Sequence, residues 1–397
     1  MKGYSVVEQT QNKNLQKVIK GEKVKSNKNK EFNFIDLFAG IGGFHISMHH
    51  VGGKCVFASE IDKFARITYE HNYKKWSPEL FENGNFNQDI TDPALDYKKI
   101  PAFDLLCAGF PCQPFSHAGL KKGFGDTRGT LFFNIEEIVR TKIEAATKNN
   151  NTDLIPKVLF LENVKGLRNH DKGRTFETIK SRLEELGYEV RAEVLNSKNF
   201  GVPQNRERIF IVAWYKELIK ASDFKFPYGL DNEGNPIYDR TIRDSESVNT
   251  TVGQILLDEK ELEDYESKSG RSYTISEKLW DGHQRRKKEH GEKGNGFGYS
   301  LFQDDSQYTS TISARYYKDG SEILIDQSLL EKRPRKLHPI EAARLQGYPI
   351  DEQNENERFE IPVSDAQAYK QFGNSVSVPV IRTLAKEIIN QLLKNDA

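Results

Sequence analysis

Short apolar segments alternate with helix-like segments from residue 32 to about residue 215, and this alternation constrains the fold more than any other feature. The apolar segments are rich in β-forming residues, and the segments between them carry apolar residues at helical spacing. Strands that alternate with amphipathic helices form βαβ units, whose strands run parallel. We therefore predict an α/β fold built on a mostly parallel sheet. The strand-like segments are FNFIDLFAG, KCVFASEID, FDLLCAGF, KVLFLENV, YEVRAEVLNS and RIFIVAW, and the clearest helical ones are FFNIEEIVRTKIEAA and TFETIKSRLEELGY.

The alternation stops near residue 215, where the chain becomes polar, irregular and rich in Asp, Ser, Tyr and Gly. We interpret residues 216–334 as a second, smaller and loop-rich domain. KLHPIEAARLQGYP then predicts a capped helix within a hinge segment at 335–369, and SVPVIRTLAKEIINQLL predicts an amphipathic C-terminal helix. We expect residues 370–397 to complete the first domain, which spans 32–215.

The start of the chain differs in composition from the rest. Its first 30 residues contain eight lysines and two glutamates, a net charge of +6, with few apolar residues. A segment of this composition cannot bury a core, so we predict that residues 1–31 form a disordered basic tail. The segment also lacks the apolar stretch of a secretory signal.

The composition of the whole chain excludes several classes of protein. No apolar run approaches the roughly 18–20 residues that span a bilayer, so we expect no membrane association. The three cysteines do not form a disulfide framework, which favours a reducing, cytoplasmic location. The formal net charge is zero, so a nucleic-acid partner must be held by local charged patches.

A glycine-rich turn follows the first strand-like segment, in IDLFAGIGGFHISM. Gly40, Gly42 and Gly43 allow the backbone to approach a ligand closely, and the following helix offers free N–H groups. Glu60 lies 20 residues after Gly40, at the end of the next strand, where an acidic side chain accepts hydrogen bonds from a ribose. The full dinucleotide-binding spacing is absent. The pattern therefore favours a nucleoside-containing cofactor without identifying it, and a glycine turn required only for packing is the alternative.

The segment FDLLCAGFPCQPFSHAG places Cys112 just beyond a strand, between the two prolines of P-C-Q-P. Proline restricts φ and stiffens the turn, so the thiol is predicted to be presented rigidly at the carboxyl edge of the sheet. We predict that Cys112 is a nucleophile and that Cys107, inside the apolar run, belongs to the core. An inert structural role for Cys112 is the alternative. A C-x4-C spacing without a neighbouring histidine does not make a zinc site, and we predict no metal.

Two further segments place charged side chains near the same edge. LFLENVKG ends a strand with Glu162, which beside a presented cysteine becomes a candidate general acid; a helix-capping role is the alternative. FGVPQNRERIF places Gln204, Arg206 and Arg208 at alternate positions. Alternate side chains of an extended segment point to one side, so we predict a cluster suited to a phosphate or a pyrimidine carbonyl. A salt-bridged strand edge involving Glu207 is the alternative.

Taken together, these segments resemble the motifs of the cytosine-5 DNA methyltransferase family. Six motifs match, and their order along the chain is also their order in the family. The resemblance covers about residues 33–215 and 334–390, and residues 216–334 occupy the position of the family's target-recognition domain. The matching motifs are DLFAGIGGF, GFPCQPFS, ENVKG, QNRERIF, RKLHPIEAARLQGYP and QFGNSVSVPV.

The resemblance implies a Rossmann-like, S-adenosylmethionine-dependent methyltransferase fold with a smaller, loop-rich target-recognition domain. It implies S-adenosylmethionine as the methyl donor and no metal. Glu60 is expected to bind the ribose hydroxyls, Ile61 to lie against the adenine, and Asp89 to accept a hydrogen bond from the adenine amino group. Many family members have an aromatic residue at the position of Ile61. The other residues expected to contact the cofactor are Phe38, Ala39, Gly40, Ile41, Gly42, Gly43, Ile90, Pro111, Leu131, Asn374, Ser375 and Val376.

The resemblance also implies a reaction path. Cys112 is expected to add to C6 of a flipped-out cytosine, which makes C5 an enamine-like carbon that can attack a methyl sulfonium. Glu162 is expected to hold the N3 edge, Arg208 to bind O2, and Arg206 to order the catalytic loop and the substrate. The residues expected to contact DNA are Gln204, Thr311 and Arg315.

The expected activity is the modification of a specific sequence in double-stranded DNA by a monomer, with a cognate restriction endonuclease as functional partner. A transfer-RNA cytosine-5 methyltransferase is the alternative within the enzyme class. A Rossmann-type dehydrogenase explains the glycine turn and Glu60, but it leaves P-C-Q-P, E-N-V and Q-N-R-E-R unexplained. A non-catalytic DNA-binding regulator is disfavoured by the presence of Cys112, Glu162 and Arg208.

Overall fold

A seven-stranded sheet is the central element of the computed structural model, which describes residues 31–111, 131–242, 246–294 and 298–395. The strands lie in the order β3-β2-β1-β4-β5-β7-β6. They are β1 (Phe32–Leu37), β2 (Gly53–Ser59), β3 (Phe86–Asn87), β4 (Leu105–Gly109), β5 (Val158–Val164), β6 (Tyr188–Asn196) and β7 (Glu207–Tyr215). β1 pairs in parallel with β2 and β4, β2 with β3, and β4 with β5, whereas β7 runs antiparallel to β5. The predicted mostly parallel α/β sheet is confirmed.

Burial at the centre of the sheet explains why its strands are almost continuously apolar in sequence. Phe34, Ile35 and Leu37 of β1 are fully buried, and so are Leu105 and Leu106 of β4. A parallel strand that is covered on both faces has no solvent side, so its residues do not alternate between apolar and polar. The helices that follow these strands along the chain are α1 (Gly43–His49), α2 (Lys63–Tyr73), α3 (Pro78–Glu82), α4 (Phe132–Asn149) and α5 (Arg174–Glu185).

The chain divides into two units. The sheet unit consists of the described residues within Lys23–Leu195, Glu207–Tyr228 and Val380–Ala397, and the second unit consists of those within Asn196–Arg206 and Gly229–Pro379. The sequence predicts one domain from residues 32–215 and 370–397 and a second from residues 216–334. The functions assigned to these domains remain predictions.

Two helices of the second unit lie in the segment that the sequence predicts to be rich in loops. They are α6 (Glu259–Ser269) and α7 (Glu277–Glu292). Leu262 is the buried residue of α6, and His283 is the buried residue of α7. Because neither helix has an apolar stripe, the helical period is invisible in the sequence. The unit also contains α8 (Tyr316–Asp319), α9 (Pro339–Leu345), α10 (Asp365–Asn374), β8 (Gly229–Leu230), β9 (Pro236–Ile237), β10 (Leu301–Phe302) and β11 (Leu324–Ile325).

Both helices predicted late in the chain are confirmed. His338 caps the N-terminus of α9, where Glu341 completes a capping box. The buried Glu341 carboxylate also accepts hydrogen bonds of 2.7 and 2.8 Å from Arg335. The last helix, α11 (Val378–Asn395), buries Ile381, Leu384 and Ile388 on one face, as an amphipathic pattern predicts.

Some features predicted from the sequence lie outside the residues that the structure describes. The predicted disordered tail, residues 1–31, lies outside the described residues except for Glu31. Cys112 also lies outside them, whereas Cys55 and Cys107 are buried free thiols. Within the described ranges, no helix combines the length and the apolar character that crossing a bilayer requires.

Candidate functional site

The predicted cofactor turn begins where β1 ends, at the carboxyl edge of the parallel strands. Phe38 has a φ of 55°, and Gly40 and Gly42 have φ values of 56° and 79°. A Cβ at Gly40 would meet no described atom within 4 Å, so the positive φ is what favours glycine there, and the open space beside it can hold a ligand. A Cβ at Gly42 would lie 2.0 Å from the ring of Tyr73. The backbone conformation therefore favours glycine at position 40, and contact with Tyr73 requires it at position 42.

Tyr73 of α2 binds this turn through its hydroxyl, which donates to the carbonyl oxygens of Ile41 and Gly42, each 2.9 Å away. Tyr73 is fully buried, and the ring of His45 stacks on it with the centroids 4.3 Å apart. Burial lowers the pKa of His45 well below its usual value, so this ring is neutral. The sequence alone does not single out Tyr73, because a tyrosine in the next helix gives no local signal of contact with the turn.

Replacing Tyr73 with phenylalanine should weaken S-adenosylmethionine binding about tenfold, because leaving the buried Ile41 carbonyl without its donor costs about 1–3 kcal/mol. Calorimetric titration measures the affinity, and thermal unfolding measures the accompanying loss of stability. Tyr188→Phe is the matched control, since the buried Tyr188 hydroxyl donates to the carbonyl of Pro156 at 2.6 Å in the same unit. The control should lose stability and keep its affinity. Equal affinities in all three proteins would contradict a role for Tyr73 in the turn.

Glu60 follows β2 and lies beside the glycine turn. Its Oε2 accepts a hydrogen bond from the Gly40 N–H at 2.8 Å, and its Oε1 accepts one from the Asp62 N–H at 2.7 Å. Burial raises the pKa of Glu60, and these N–H donors oppose the rise. Each carboxylate oxygen can accept a second hydrogen bond, which leaves the group able to bind a ribose hydroxyl. The adjacent Ile61 is 67% exposed, so a large apolar side chain is available to contact a flat ring. These residues fit the predicted cofactor.

Four other residues predicted to contact the cofactor lie in different surroundings. The Asp89 carboxylate accepts hydrogen bonds from the N–H and the hydroxyl of Thr91, at 2.8 and 2.7 Å. Ile90 is buried in the core of the sheet unit, and Leu131 packs against that core. Pro111 is exposed and precedes the gap in the described residues. Their roles towards a cofactor remain predictions.

The candidate catalytic edge lies where β4 and β5 end side by side. Their register pairs Gly109 with Glu162, and Gly109 is three residues before Cys112. Asn163 donates a hydrogen bond of 2.8 Å to the carbonyl of Phe110, which fixes the chain just before P-C-Q-P. Cys112 itself is outside the described residues. The sheet thus brings Glu162 close to Gly109, where the segment that carries the predicted nucleophile begins. Asn163, which contacts Phe110, is the second residue of the E-N-V motif.

Glu162 and Arg208 form an ion pair in which the Arg208 Nε is 3.2 Å from the Glu162 Oε1. Glu162 is 8% exposed, and the antiparallel register of β5 and β7 pairs Val164 with Arg208. Burial lowers the pKa of Arg208, and the charge of Glu162 opposes this shift. A carboxyl group beside a guanidinium can bind both the ring nitrogen edge and the carbonyl oxygen of a pyrimidine.

Cys107 is fully buried in β4, which confirms its predicted place in the core. Burial raises the pKa of its thiol well above the usual value, as it does for Cys55. Protonated, inaccessible thiols are poor nucleophiles. Among the described residues, no group of three or more His, Cys, Asp or Glu side chains could hold a metal ion.

Gln204 and Arg206 belong to the second unit, and both contact Ile312. The Gln204 Oε1 accepts from the Ile312 N–H at 3.2 Å, and the Arg206 Nη1 donates to the Ile312 carbonyl at 3.2 Å. Arg208 instead contacts Glu162 and the carbonyl of Glu207. Gln204 and Arg206 therefore contact the same residue, as side chains at alternate positions of an extended segment can. Arg208 lies in β7, which begins at Glu207, and it has different partners.

The late cofactor segment also lies in the second unit. Asn374 is the exposed last residue of α10, and Ser375 and Val376 are each 8% exposed. The Ser375 hydroxyl lies 2.7 Å from the hydroxyl of Tyr348. Only Asn374 of this segment therefore presents a side chain openly within the second unit.

Two residues predicted to contact DNA, Thr311 and Arg315, lie on either side of Ile312 in the chain. The Thr311 hydroxyl donates to the carbonyl of Asn205 at 2.6 Å. Arg315 is exposed at the start of α8 and lines a cavity of about 540 Å³ together with Arg286 and Lys318. Acidic side chains line this cavity as well, and Asp319 pairs with Arg286 at 3.3 Å. The exposed side chains of Arg315 and Lys318 can contact a phosphate group.

Comparison with known proteins identifies a family and close relatives. A family model described as C-5 cytosine-specific DNA methylase matches residues 32–390. Type II methyltransferase M1.ScrFI of Lactococcus lactis subsp. cremoris is 49% identical over 370 residues, which cover 93% of this chain and 80% of that protein. Type II methyltransferase M.SsoII of Shigella sonnei is 48% identical, with 92% and 82% covered. Type II methyltransferase M.HhaI of Haemophilus parahaemolyticus is 36% identical, with 90% and 94% covered.

Solved structures support the fold. The Dnmt2 methyltransferase of S. pombe is 20% identical with a TM-score of 0.60, covering 91% of this chain and 98% of that chain. The methyltransferase EhMeth of Entamoeba histolytica is 17% identical with a TM-score of 0.59, covering 93% and 99%. At these identities the likeness concerns the Rossmann-like fold alone.

Proposed function

This chain belongs to the C-5 cytosine-specific DNA methylase family, and we propose that it methylates a flipped-out cytosine in a specific duplex sequence through a covalent bond between Cys112 and C6. The chain is a DNA (cytosine-5)-methyltransferase of the type II, restriction–modification kind, with S-adenosylmethionine as methyl donor. The register of β4 and β5 carries the mechanistic proposal, because it pairs Glu162 with Gly109, three residues before Cys112.

The proposed reaction divides a difficult substitution into feasible steps. The Cys112 thiolate forms a bond to C6, and the electron pair of the C5–C6 double bond makes C5 nucleophilic. C5 then forms a bond to the methyl group that S-adenosylmethionine supplies, and the broken carbon–sulfur bond leaves its electron pair on the sulfur of S-adenosylhomocysteine, the second product. A base removes the C5 proton, the double bond re-forms, and Cys112 leaves as the thiolate.

Glu162 and Arg208 are proposed to hold the pyrimidine during these steps. The Glu162 carboxyl binds the N3 edge and stabilises the protonated adduct, and Arg208 binds O2. Their 3.2 Å ion pair orients both groups before the substrate arrives. Because the pair is largely buried, its charges act with little screening by water. C5 and C6 are inaccessible in a stacked duplex, so the nucleotide must leave the helix to reach these groups.

S-adenosylmethionine is proposed to occupy the turn between β1 and α1. Glu60 binds the ribose hydroxyls, Ile61 lies against the adenine, and Asp89 accepts from the adenine amino group. The space beside Gly40 and the exposure of Ile61 support this placement. The other proposed contacts are Phe38, Ala39, Ile41, Gly42, Gly43, Ile90, Pro111, Leu131, Asn374, Ser375 and Val376.

Sequence recognition is proposed for residues 216–334, with Thr311 and Arg315 in contact with DNA. The exposed guanidinium of Arg315 and the nearby Lys318 support this assignment. We further propose that the enzyme acts as a monomer and protects DNA from a cognate restriction endonuclease. The names of the relatives as type II methyltransferases support the protective role.

Incubating the enzyme with S-adenosylmethionine and a random-sequence duplex library should methylate C5 of one cytosine within a single short consensus. Mapping the modified cytosines identifies that sequence, and a parallel reaction with bulk transfer RNA tests the alternative substrate. We expect incorporation into the duplex and none into transfer RNA. Methylation of transfer RNA with an unmodified duplex library would overturn the assignment.

A further inference from the structure

Arg206 joins two segments of the second unit, and we propose that it couples the binding of the cofactor to the binding of DNA. The inference rests on the proposed function, in which Asn374–Val376 contact S-adenosylmethionine while Thr311 and Arg315 contact DNA. In this role Arg206 is a positioning residue, because it acts through the backbone of the two segments.

The Arg206 guanidinium donates to three backbone carbonyls. Its Nη1 lies 3.2 Å from the oxygen of Ile312, and its Nη2 lies 3.3 Å from that of Gly373 and 2.6 Å from that of Ser375. Arg206 is 3% exposed. The last carbonyls of a helix lack a partner within the helix, and a cation is favoured at that end. A single buried cation therefore completes the end of α10 and also holds Ile312.

The two segments also touch directly at Gly373. A Cβ at this position would lie 2.2 Å from the carbonyl carbon of Ser313 and 2.3 Å from its oxygen. The backbone of α10 is therefore in contact with the backbone that follows Ile312. Because no side chain fits between them, a movement of one segment towards the other must displace it.

Gln204 strengthens the same arrangement. It is fully buried, its Oε1 accepts from the Ile312 N–H at 3.2 Å, and its Nε2 donates to the carbonyl of Leu345 at 3.1 Å. Ile312 is thus held at its N–H by Gln204 and at its carbonyl by Arg206. These bonds restrict the residue that lies between Thr311 and Arg315.

Shared contacts of this kind link two binding events. A ligand that orders residues 311–315 also orders 374–376, so the second ligand loses less conformational entropy when it binds. Linkage requires that each ligand changes the affinity of the other by the same factor. For the wild-type enzyme we expect each ligand to tighten the other about 5- to 150-fold.

The experiment measures this factor in variants that differ at one buried arginine. S-adenosylhomocysteine, which cannot donate a methyl group, is titrated calorimetrically with and without a duplex that carries the mapped target. Arg206→Lys keeps the charge and loses the planar set of donors, so its factor should fall to within about twofold of one. Arg344→Lys is the matched control, because Arg344 donates to the carbonyls of Ile255 and Leu256 at 3.2 and 3.3 Å in the same unit. Its factor should equal that of the wild type.

The outcomes separate this inference from the proposed function. A folded Arg206→Lys enzyme that keeps the wild-type factor overturns the coupling role. If thermal unfolding shows that this variant does not fold, Arg206→Gln takes its place, because it removes the guanidinium without burying an unpaired charge, and an unchanged factor there has the same meaning. A wild-type enzyme that binds both ligands independently overturns the inference alone. One that binds neither ligand overturns the proposed function and the inference together.

Discussion

Replacing Cys112 with serine should abolish methyl transfer, with a loss of about 10³-fold or more in kcat, as is typical when a covalent nucleophile is removed. A serine hydroxyl is a far weaker nucleophile than a thiolate at neutral pH, so addition to C6 fails. S-adenosylmethionine binding should survive, because the predicted cofactor contacts lie elsewhere. A tritiated-methyl assay measures transfer, and calorimetric titration measures binding. Cys107→Ser is the control, and it should keep activity because Cys107 is buried in β4.

A trapped adduct gives a second readout of the same prediction. Release of the enzyme requires loss of the C5 proton, and a fluorine at C5 cannot leave as a cation. Duplex DNA with 5-fluorocytosine at the mapped target should therefore form a denaturant-resistant complex when S-adenosylmethionine is present, and Cys112→Ala should form none. Appreciable turnover by the serine variant, or a wild-type enzyme that binds cofactor and never traps its site, would show that the proposed mechanism is wrong.

Replacing Glu162 with glutamine should slow both methyl transfer and trapping by about 10²–10⁴-fold, the usual effect of removing a well-placed general acid. The amide keeps the shape of the side chain and can neither carry a proton to N3 nor balance the charge of Arg208, 3.2 Å away. Single-turnover kinetics on the mapped duplex measure the rate of the chemical step. We expect the affinity for S-adenosylmethionine to remain unchanged.

Glu207→Gln provides the matched control for this substitution. Glu207 lies next to Arg208 in the chain, is more exposed than Glu162, and pairs with Lys165 at 2.8 Å. Because exposed ion pairs contribute only about 0–1 kcal/mol, the control should keep its rate to within a few fold. A comparable loss of rate in both variants, or full activity of Glu162→Gln, would refute the role assigned to Glu162.

Most strands and helices of the sheet unit can be predicted from the order of residues along the chain. Buried parallel strands leave continuous apolar runs, and helices packed on them leave an apolar face, so both patterns survive in the sequence. The same holds for the turn at Gly40 and for the late helix α9, whose cap lies within a few residues of its start. Helices α6 and α7 leave no such pattern, because few of their side chains are buried.

The partners of the site residues could not be inferred in this way. Arg206 and Arg208 are two positions apart and look equivalent in Q-N-R-E-R, yet one holds the carbonyl of Ile312 and the other pairs with Glu162. The contact of Tyr73 with the glycine turn also has no signal in the local sequence. Local sequence patterns report only whether a face is buried and with what period. Which distant groups meet there follows from strand register and from the packing of segments far apart in the chain, and these exist only once the chain has folded.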